Sequence, residues 1–145
     1  MHFHLRNGKL LGTGFSIGEM DDENDLNRPV VISYDLKTRN SNYFFSYPDI
    51  YKDANWGGYN YRFVYSTFDD RSNLIISFPA DHYISKFNLL NNNAQKSFSG
   101  SKYIDTISSL NLNKNEFKDK WAMNEYFGTS PSYSSIIFDK YRRVY

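Results

Sequence analysis

Tyr61-Arg62-Phe63-Val64-Tyr65-Ser66-Thr67-Phe68, the polar turn Asp69-Asp70-Arg71-Ser72, and Leu74-Ile75-Ile76-Ser77-Phe78 read as a β-hairpin with bulky side chains on both faces. Alternation sets Tyr61, Phe63 and Tyr65 on one side and Val64 on the other, because successive side chains of a strand point to opposite sides of its sheet. A sheet with one solvated face has no need of apolar residues on both sides, whereas a sheet packed between two neighbours does.

The flanking sequence repeats this plan. Pro79-Ala80-Asp81 resets the chain. A further hairpin follows: His82-Tyr83-Ile84-Ser85-Lys86-Phe87-Asn88-Leu89, a turn at Asn91-Asn92-Asn93, and Gln95-Lys96-Ser97-Phe98-Ser99. Upstream, Phe3-His4-Leu5-Arg6 passes through Asn7-Gly8 into Lys9-Leu10-Leu11-Gly12-Thr13-Gly14-Phe15. Asn-Gly between apolar stretches predicts a type I′ turn, which needs positive φ at both central residues. Beyond the polar residues 19–25, Val30-Val31-Ile32-Ser33-Tyr34-Asp35-Leu36 turns at residues 37–41 and returns as Asn42-Tyr43-Phe44-Phe45-Ser46-Tyr47, stopped by Pro48. Aligning Tyr34-Asp35-Leu36 with Phe87-Asn88-Leu89, and Leu10-Leu11 with Leu74-Ile75, gives an internal period of roughly 50 to 65 residues.

Residues 113–128 break the strand rhythm. Asn113 as N-cap with Glu116 three positions on, Phe117 and Trp121 on one face, and Gly128 as a stop predict a helix. Strands resume with Ser134-Ser135-Ile136-Ile137-Phe138, a turn at Asp139-Lys140-Tyr141, and Arg142-Arg143-Val144-Tyr145. The expected fold is all-β with one short helix, built as β-propeller-like four-stranded antiparallel blades. Residues 1–55 and 56–103 form blades, 104–130 a helix inserted between blades, and 131–145 the start of the next, all within one propeller domain. About two and a half blades leave a ring of four to eight incomplete. A single sandwich domain is the rival.

Composition narrows the function classes. The chain has 145 residues, no cysteine, and 13 Tyr, 12 Phe and 2 Trp, enough for one domain with an aromatic core. The lack of cysteine excludes a disulfide scaffold, a thiolate zinc site and a cysteine nucleophile. Seventeen basic against 16 acidic side chains supply no field to draw in nucleic acid. No apolar run reaches the roughly 20 residues of a transmembrane helix, and the opening Met1-His2-Phe3-His4 is not a signal peptide.

Three stretches carry a family resemblance: Ser77-Phe78-Pro79-Ala80-Asp81-His82-Tyr83-Ile84, then Gly100-Ser101-Lys102-Tyr103-Ile104, and finally residues 132–145, of which Asp139-Lys140-Tyr141-Arg142-Arg143-Val144-Tyr145 is the most specific. They resemble the middle of an uncharacterised family of exported bacterial lipoproteins, themselves similar to TolB-like six-bladed β-propellers. The resemblance covers about the last two-thirds of the chain. Members are more than twice as long and begin with a lipobox cysteine, so it implies an internal fragment and an extracytoplasmic location, periplasmic or anchored to the outer membrane. It implies no activity.

The candidate sites have structural readings beside their functional ones. Trp56-Gly57-Gly58-Tyr59 puts two aromatics on a glycine turn, where Trp56 and Tyr59 are expected either to stack on a sugar or peptide or to fill a gap between blades. Asp81-His82 sits where one strand pair hands over to the next and is a candidate for ligand binding, without an identifiable third metal ligand. Asp21, Glu23 and Asp25 alternate as in a calcium loop, yet the central glycine and the closing glutamate are missing, Ile32 standing in its place. His2 and His4 share a face of a terminal strand, and Asp139 is expected to face Arg142 or Arg143 across a hairpin turn. No catalytic, metal or cofactor motif is present. The expected function is non-enzymatic binding or scaffolding in the cell envelope, with a protein, peptide or glycan ligand and self-association of the fragment. The alternative is a propeller-type hydrolase or lactonase at the channel mouth.

Overall fold

The structure is a computed structural model that describes residues 2–14, 26–52, 54, 56, 59–89, 91, 93–109 and 120–144. Two four-stranded antiparallel sheets form the frame of the molecule. The first contains β1 (His2–Arg6), β2 (Lys9–Thr13), β3 (Val31–Asp35) and β4 (Ser41–Phe44); the second contains β5 (Tyr65–Phe68), β6 (Asn73–Ser77), β7 (Tyr83–Asn88) and β8 (Asn93–Phe98). Each is a meander in sequence order. The first turn forms as its residues demand, with φ of 50° at Asn7 and 73° at Gly8.

A recurring turn ends several hairpins. Asp35 N–H bonds to Asn40 O, Arg39 N–H returns to Asp35 O, and the Asp35 carboxylate accepts from Lys37 and Thr38 N–H. These side-chain bonds hold the carboxyl below its ordinary pKa, the Thr38 N–H contributing most. Asp139 repeats the pattern bond for bond with Val144 O, Arg143 N–H, and the N–H groups of Tyr141 and Arg142. Asp69 makes a tighter version closed by Asn73. Arg39, Ser72 and Arg143 take the left-handed position in the three turns. An aspartate that mimics a backbone turn is thus the local code for chain reversal here.

Strand register assigns the faces. Thr13, Leu11, Val31, Ser33 and Phe44 share one side of the first sheet, and Phe68, Leu74, Ile76, Ser85 and Phe87 share one side of the second. These two sides meet: Thr13 Oγ1 lies 3.0 Å from Ser66 Oγ, His4 packs edge-on to Phe68 at 4.9 Å, and Phe44 stacks on Phe87 at 4.6 Å. Leu11, Leu74 and Ile76 are buried completely between them. The chain crossing from one sheet to the other, residues 45–64, fills one end of the contact with linked rings: Tyr47, Tyr51, Trp56 and Tyr61, each within 6 Å of the next. Their polar groups are satisfied, with Tyr47 OH donating to Arg62 O at 2.7 Å, Tyr51 OH accepting from Ala80 N–H at 3.0 Å, and Trp56 Nε1–H donating to Ile50 O at 2.8 Å. Burial pushes the Tyr51 and Tyr61 phenols well above their ordinary pKa, so both stay neutral donors or acceptors.

Four sequence expectations change. The expected strand over 61–68 begins only at Tyr65, because Tyr59–Arg62 forms a 3-10 turn in which Tyr61 is buried against Trp56, Tyr126 and Phe127 and Arg62 O is taken by Tyr47. The helix is α1 (Lys120–Thr129), which carries Gly128 inside its last turn and leaves Trp121 exposed; Asn113, Glu116 and Phe117 lie outside the described residues. Residues 134–138 form no strand. Their segment enters at the β6–β7 corner, where Tyr133 N–H donates to Pro79 O, and a single bridge, Asp139 to Val144, closes the turn that follows. Phe45 also departs from plain alternation: with φ of 58° it turns back and packs edge-on to Phe87 at 5.4 Å.

Candidate functional site

The Asp81-His82 corner stands at the end of β6, where Asp81 N–H bonds to Phe78 O and Ser99 N–H bonds to His82 O. The two side chains go to different partners. Asp81, nearly buried, accepts from Tyr83 N–H at 3.0 Å and pairs with Lys96 at 3.0 Å. His82 Nδ1 lies 2.7 Å from the hydroxyl of Tyr133, which also accepts from Ser101 N–H at 3.0 Å. With Ser101 on one lone pair of that oxygen, the phenol proton is free to go to Nδ1, a pairing that puts the ring proton on Nε2. The arrangement latches residues 131–138 to the corner. A cleft of about 190 Å³ opens beside the latch, lined by Ser77, Ser99 and Ser135 as well as Asp81, His82 and Tyr133. Asp81 and His82 are therefore neighbours in a pocket without forming a pair.

Trp56 does not stand on an exposed turn. It is 6% exposed, lies between Tyr51 at 5.8 Å and Tyr61 at 5.5 Å, and donates to Ile50 O, so it is packed within the aromatic cluster of the crossing segment. Gly57, Gly58 and the side chain of Tyr59 lie outside the described residues. The alternating acids Asp21, Glu23 and Asp25 lie outside them too. Among the described residues no cluster of three or more His, Asp or Glu side chains could hold a metal ion. None of the described helices is long and apolar enough to cross a membrane. Asp139 behaves as its turn requires, with Arg142 Nε at 4.0 Å, while Arg143 reaches across to Asp70 at 3.1 Å.

A second pocket, of about 240 Å³, lies at the other end of the second sheet. Its base is a row of asparagines in register on three strands, Asn73, Asn88 and Asn93, with Lys86 and Gln95 in the next row and Arg71 and Asn91 on the adjoining turns. Beneath it the buried Asp69 accepts from Asn73 N–H at 2.8 Å and Asn73 Nδ2–H at 2.7 Å, and pairs with Lys86 at 2.7 Å. Burial by itself would raise the Asp69 carboxyl; Lys86 and Asn73 more than offset it and hold it down at about 2. In the sequence Asn91-Asn92-Asn93 reads only as a turn, because pairing register, invisible in a linear pattern, is what assembles the asparagine row. Tyr133 went unmarked for the same reason, since it meets His82 from 51 residues away.

No family model matches the chain, and no curated protein matches it. Among solved structures, a member of the DUF4221 family from Bacteroides vulgatus ATCC 8482 is similar over 97% of this chain, with a TM-score of 0.66 and 18% identity. The chain spans 38% of the length of that structure. It therefore shares its fold, two four-stranded antiparallel sheets and a short helix, with part of a structure from that uncharacterised family.

Proposed function

We propose that the chain is part of a β-propeller and serves as a non-enzymatic binding or scaffolding module of the bacterial envelope. What supports the propeller is the way equivalent residues face. The internal alignment matches Leu10 with Leu74 and Tyr34 with Phe87. Leu10 and Tyr34 lie on the outward side of the first sheet, whereas Leu74 and Phe87 lie on the side of the second that receives the first. Leu11, on the contact side, likewise matches Ile75, on the outward side. Equivalent sides thus stack front to back, as blades do around a ring, while a sandwich packs its two inner sides together. The Asp139–Val144 turn, a copy of the Asp35–Asn40 turn, supports a third unit. Six blades, lipidation and an envelope location rest on the family resemblance.

Binding is favoured over a hydrolase or lactonase because Asp81 is engaged by Lys96 and His82 by Tyr133. A catalytic channel mouth needs such groups converging on one point. Sedimentation velocity with an apolar dye tests the architecture. The outward side of the first sheet carries Phe3, Leu5, Leu10 and Tyr43 to solvent, so the chain is expected to self-associate and bind dye. A compact, cooperatively unfolding monomer without dye binding would overturn the open-blade reading. Protease accessibility in intact cells tests the location, and full protection with recovery in the cytosolic fraction would remove it.

A further inference from the structure

The second sheet carries an amide-lined pocket. Among the described residues its lining contains two cations and five carboxamides, and neither a carboxylate nor an aromatic ring. Lys86 is already paired with Asp69, while Arg71 makes no ion pair among the described residues. One uncommitted positive charge thus stands at the rim. Three of the carboxamides are held in one orientation, that of Asn88 by the Asn91 N–H its Oδ1 accepts at 3.2 Å. Asn73 must direct its Nδ2 to Asp69, which can only accept, so its Oδ1 is the acceptor offered to a ligand. Asn91 must direct its Oδ1 to Asn93 N–H, which can only donate, so its Nδ2 is the donor offered. Flipping either amide would cost a hydrogen bond.

We infer that this pocket binds an acidic sugar, a single hexuronate ring whose carboxylate meets Arg71 and whose hydroxyls pair with Asn73 Oδ1 and Asn91 Nδ2. A hydroxyl donates and accepts at once, which suits a wall that offers both a fixed acceptor, Asn73 Oδ1, and a fixed donor, Asn91 Nδ2. A single uncommitted cation suits a monoanion, and a planar guanidinium fits a carboxylate with two parallel bonds. The volume of about 240 Å³ falls below the roughly 300 to 1,000 Å³ of sites for drug-sized ligands, which favours one ring over a chain. Without an aromatic platform the pocket offers a neutral sugar little apolar contact, so discrimination rests on the carboxylate. The inference stands whether or not the sheets are propeller blades.

Titration of the protein with sodium glucuronate, with glucose and acetate as controls, tests it by NMR amide shifts and calorimetry. Glucuronate is expected to bind at least about tenfold more tightly than either control, with shifts centred on Arg71, Asn91 and Gln95. Arg71→Gln is expected to remove most of the preference for glucuronate over glucose, and Asn91→Ala to weaken both sugars. Both residues are exposed, so their variants should fold. Equal binding of glucuronate and glucose, shifts elsewhere on the molecule, or an Arg71→Gln protein that keeps its preference would each overturn the assignment.

Discussion

The first sheet turns Phe3, Leu5, Leu10 and Tyr43 outward, Phe3 being 60% and Tyr43 63% exposed, while the outward side of the second sheet buries Ile75 completely beneath a polar surface of Thr67, Lys86 and Gln95. Strand order and the aspartate turns are shared, so the contrast lies in the side chains. In the first sheet Phe3 lies against Gly12, where even a Cβ would come within 2.9 Å of the ring, and the surface is a flat apolar layer. In the second, Asp69 is joined to Lys86 and Asn73, and the side is polar. A strand's sequence therefore does not fix its burial. β6 is buried along its whole length as a central strand, flanked by β5 and β7, with Leu74 and Ile76 on the side that meets the first sheet.

The severest test removes the joint that both sheets share. Trp56→Ala deletes a buried ring touching Tyr51 and Tyr61, and is expected to cost about 3 to 5 kcal/mol in urea unfolding. Both sheets should melt in one transition, since the 45–64 crossing contacts each. Two separated transitions would mean that the sheets are independent, and a loss below about 1 kcal/mol would mean that Trp56 is a surface residue after all.

Next in size is a matched pair of truncations on outward positions. Ile75→Ala removes a side chain with no exposure and is expected to cost about 2 to 4 kcal/mol. Leu10→Ala, on the outward side of the first sheet, should cost less than about 1 kcal/mol. Similar losses at the two sites, measured by the same denaturant titration, would erase the contrast between the sheets.

The register of those strands was legible in part. Asn7-Gly8 announced its turn because positive φ at two successive residues leaves few sequences to choose from, and Asp69 and Asp139 announced theirs because the reversal is built from local side-chain bonds. Trp56 was ambiguous: a Trp-Gly-Gly-Tyr turn looks the same whether it meets water or two tyrosines, and only the tertiary crossing decides. Tyr61 alternated like a strand residue, but burial against Phe127 at 5.1 Å outweighed local pattern and wound it into a 3-10 turn. The asparagine row failed for a simpler reason, since Asn73, Asn88 and Asn93 become neighbours only through pairing.

A smaller effect is expected from pH. Against the upward push of burial, Lys86 and Asn73 hold the folded Asp69 carboxyl down at about 2, below its ordinary value of 3.8. A depressed folded value means the stabilisation is complete above the unfolded pKa and disappears as pH falls through the folded one. The contribution is therefore expected to be about 2 kcal/mol above pH ~4 and to be lost between pH ~4 and ~2. Lys86→Met should flatten that part of the profile while leaving the first sheet's packing unchanged. If stability falls with the same slope in Lys86→Met, other carboxylates govern the acid limb and the Asp69 network is not what distinguishes the second sheet.

The smallest change in stability should come from the outward side of the first sheet, where it carries the sharpest information. Phe3→Ser with Tyr43→Ser removes two rings that are mostly in water, so little apolar area changes its surroundings on folding and the cost should stay within about 1 kcal/mol. The same substitutions break up the apolar layer, and a patch that drives association should lose its effect when its largest members go. Sedimentation is expected to shift from associated species toward monomer and dye binding to fall, at nearly unchanged midpoint of unfolding. The matching control lies on the second sheet, where Gln95→Ser and Asn93→Ser should alter neither association nor dye binding, because that surface is already polar. If the two pairs of variants behave alike, the sheets present equivalent outward surfaces and the contrast between them fails; if only the first pair acts, the apolar side of the first sheet is the surface through which the chain associates.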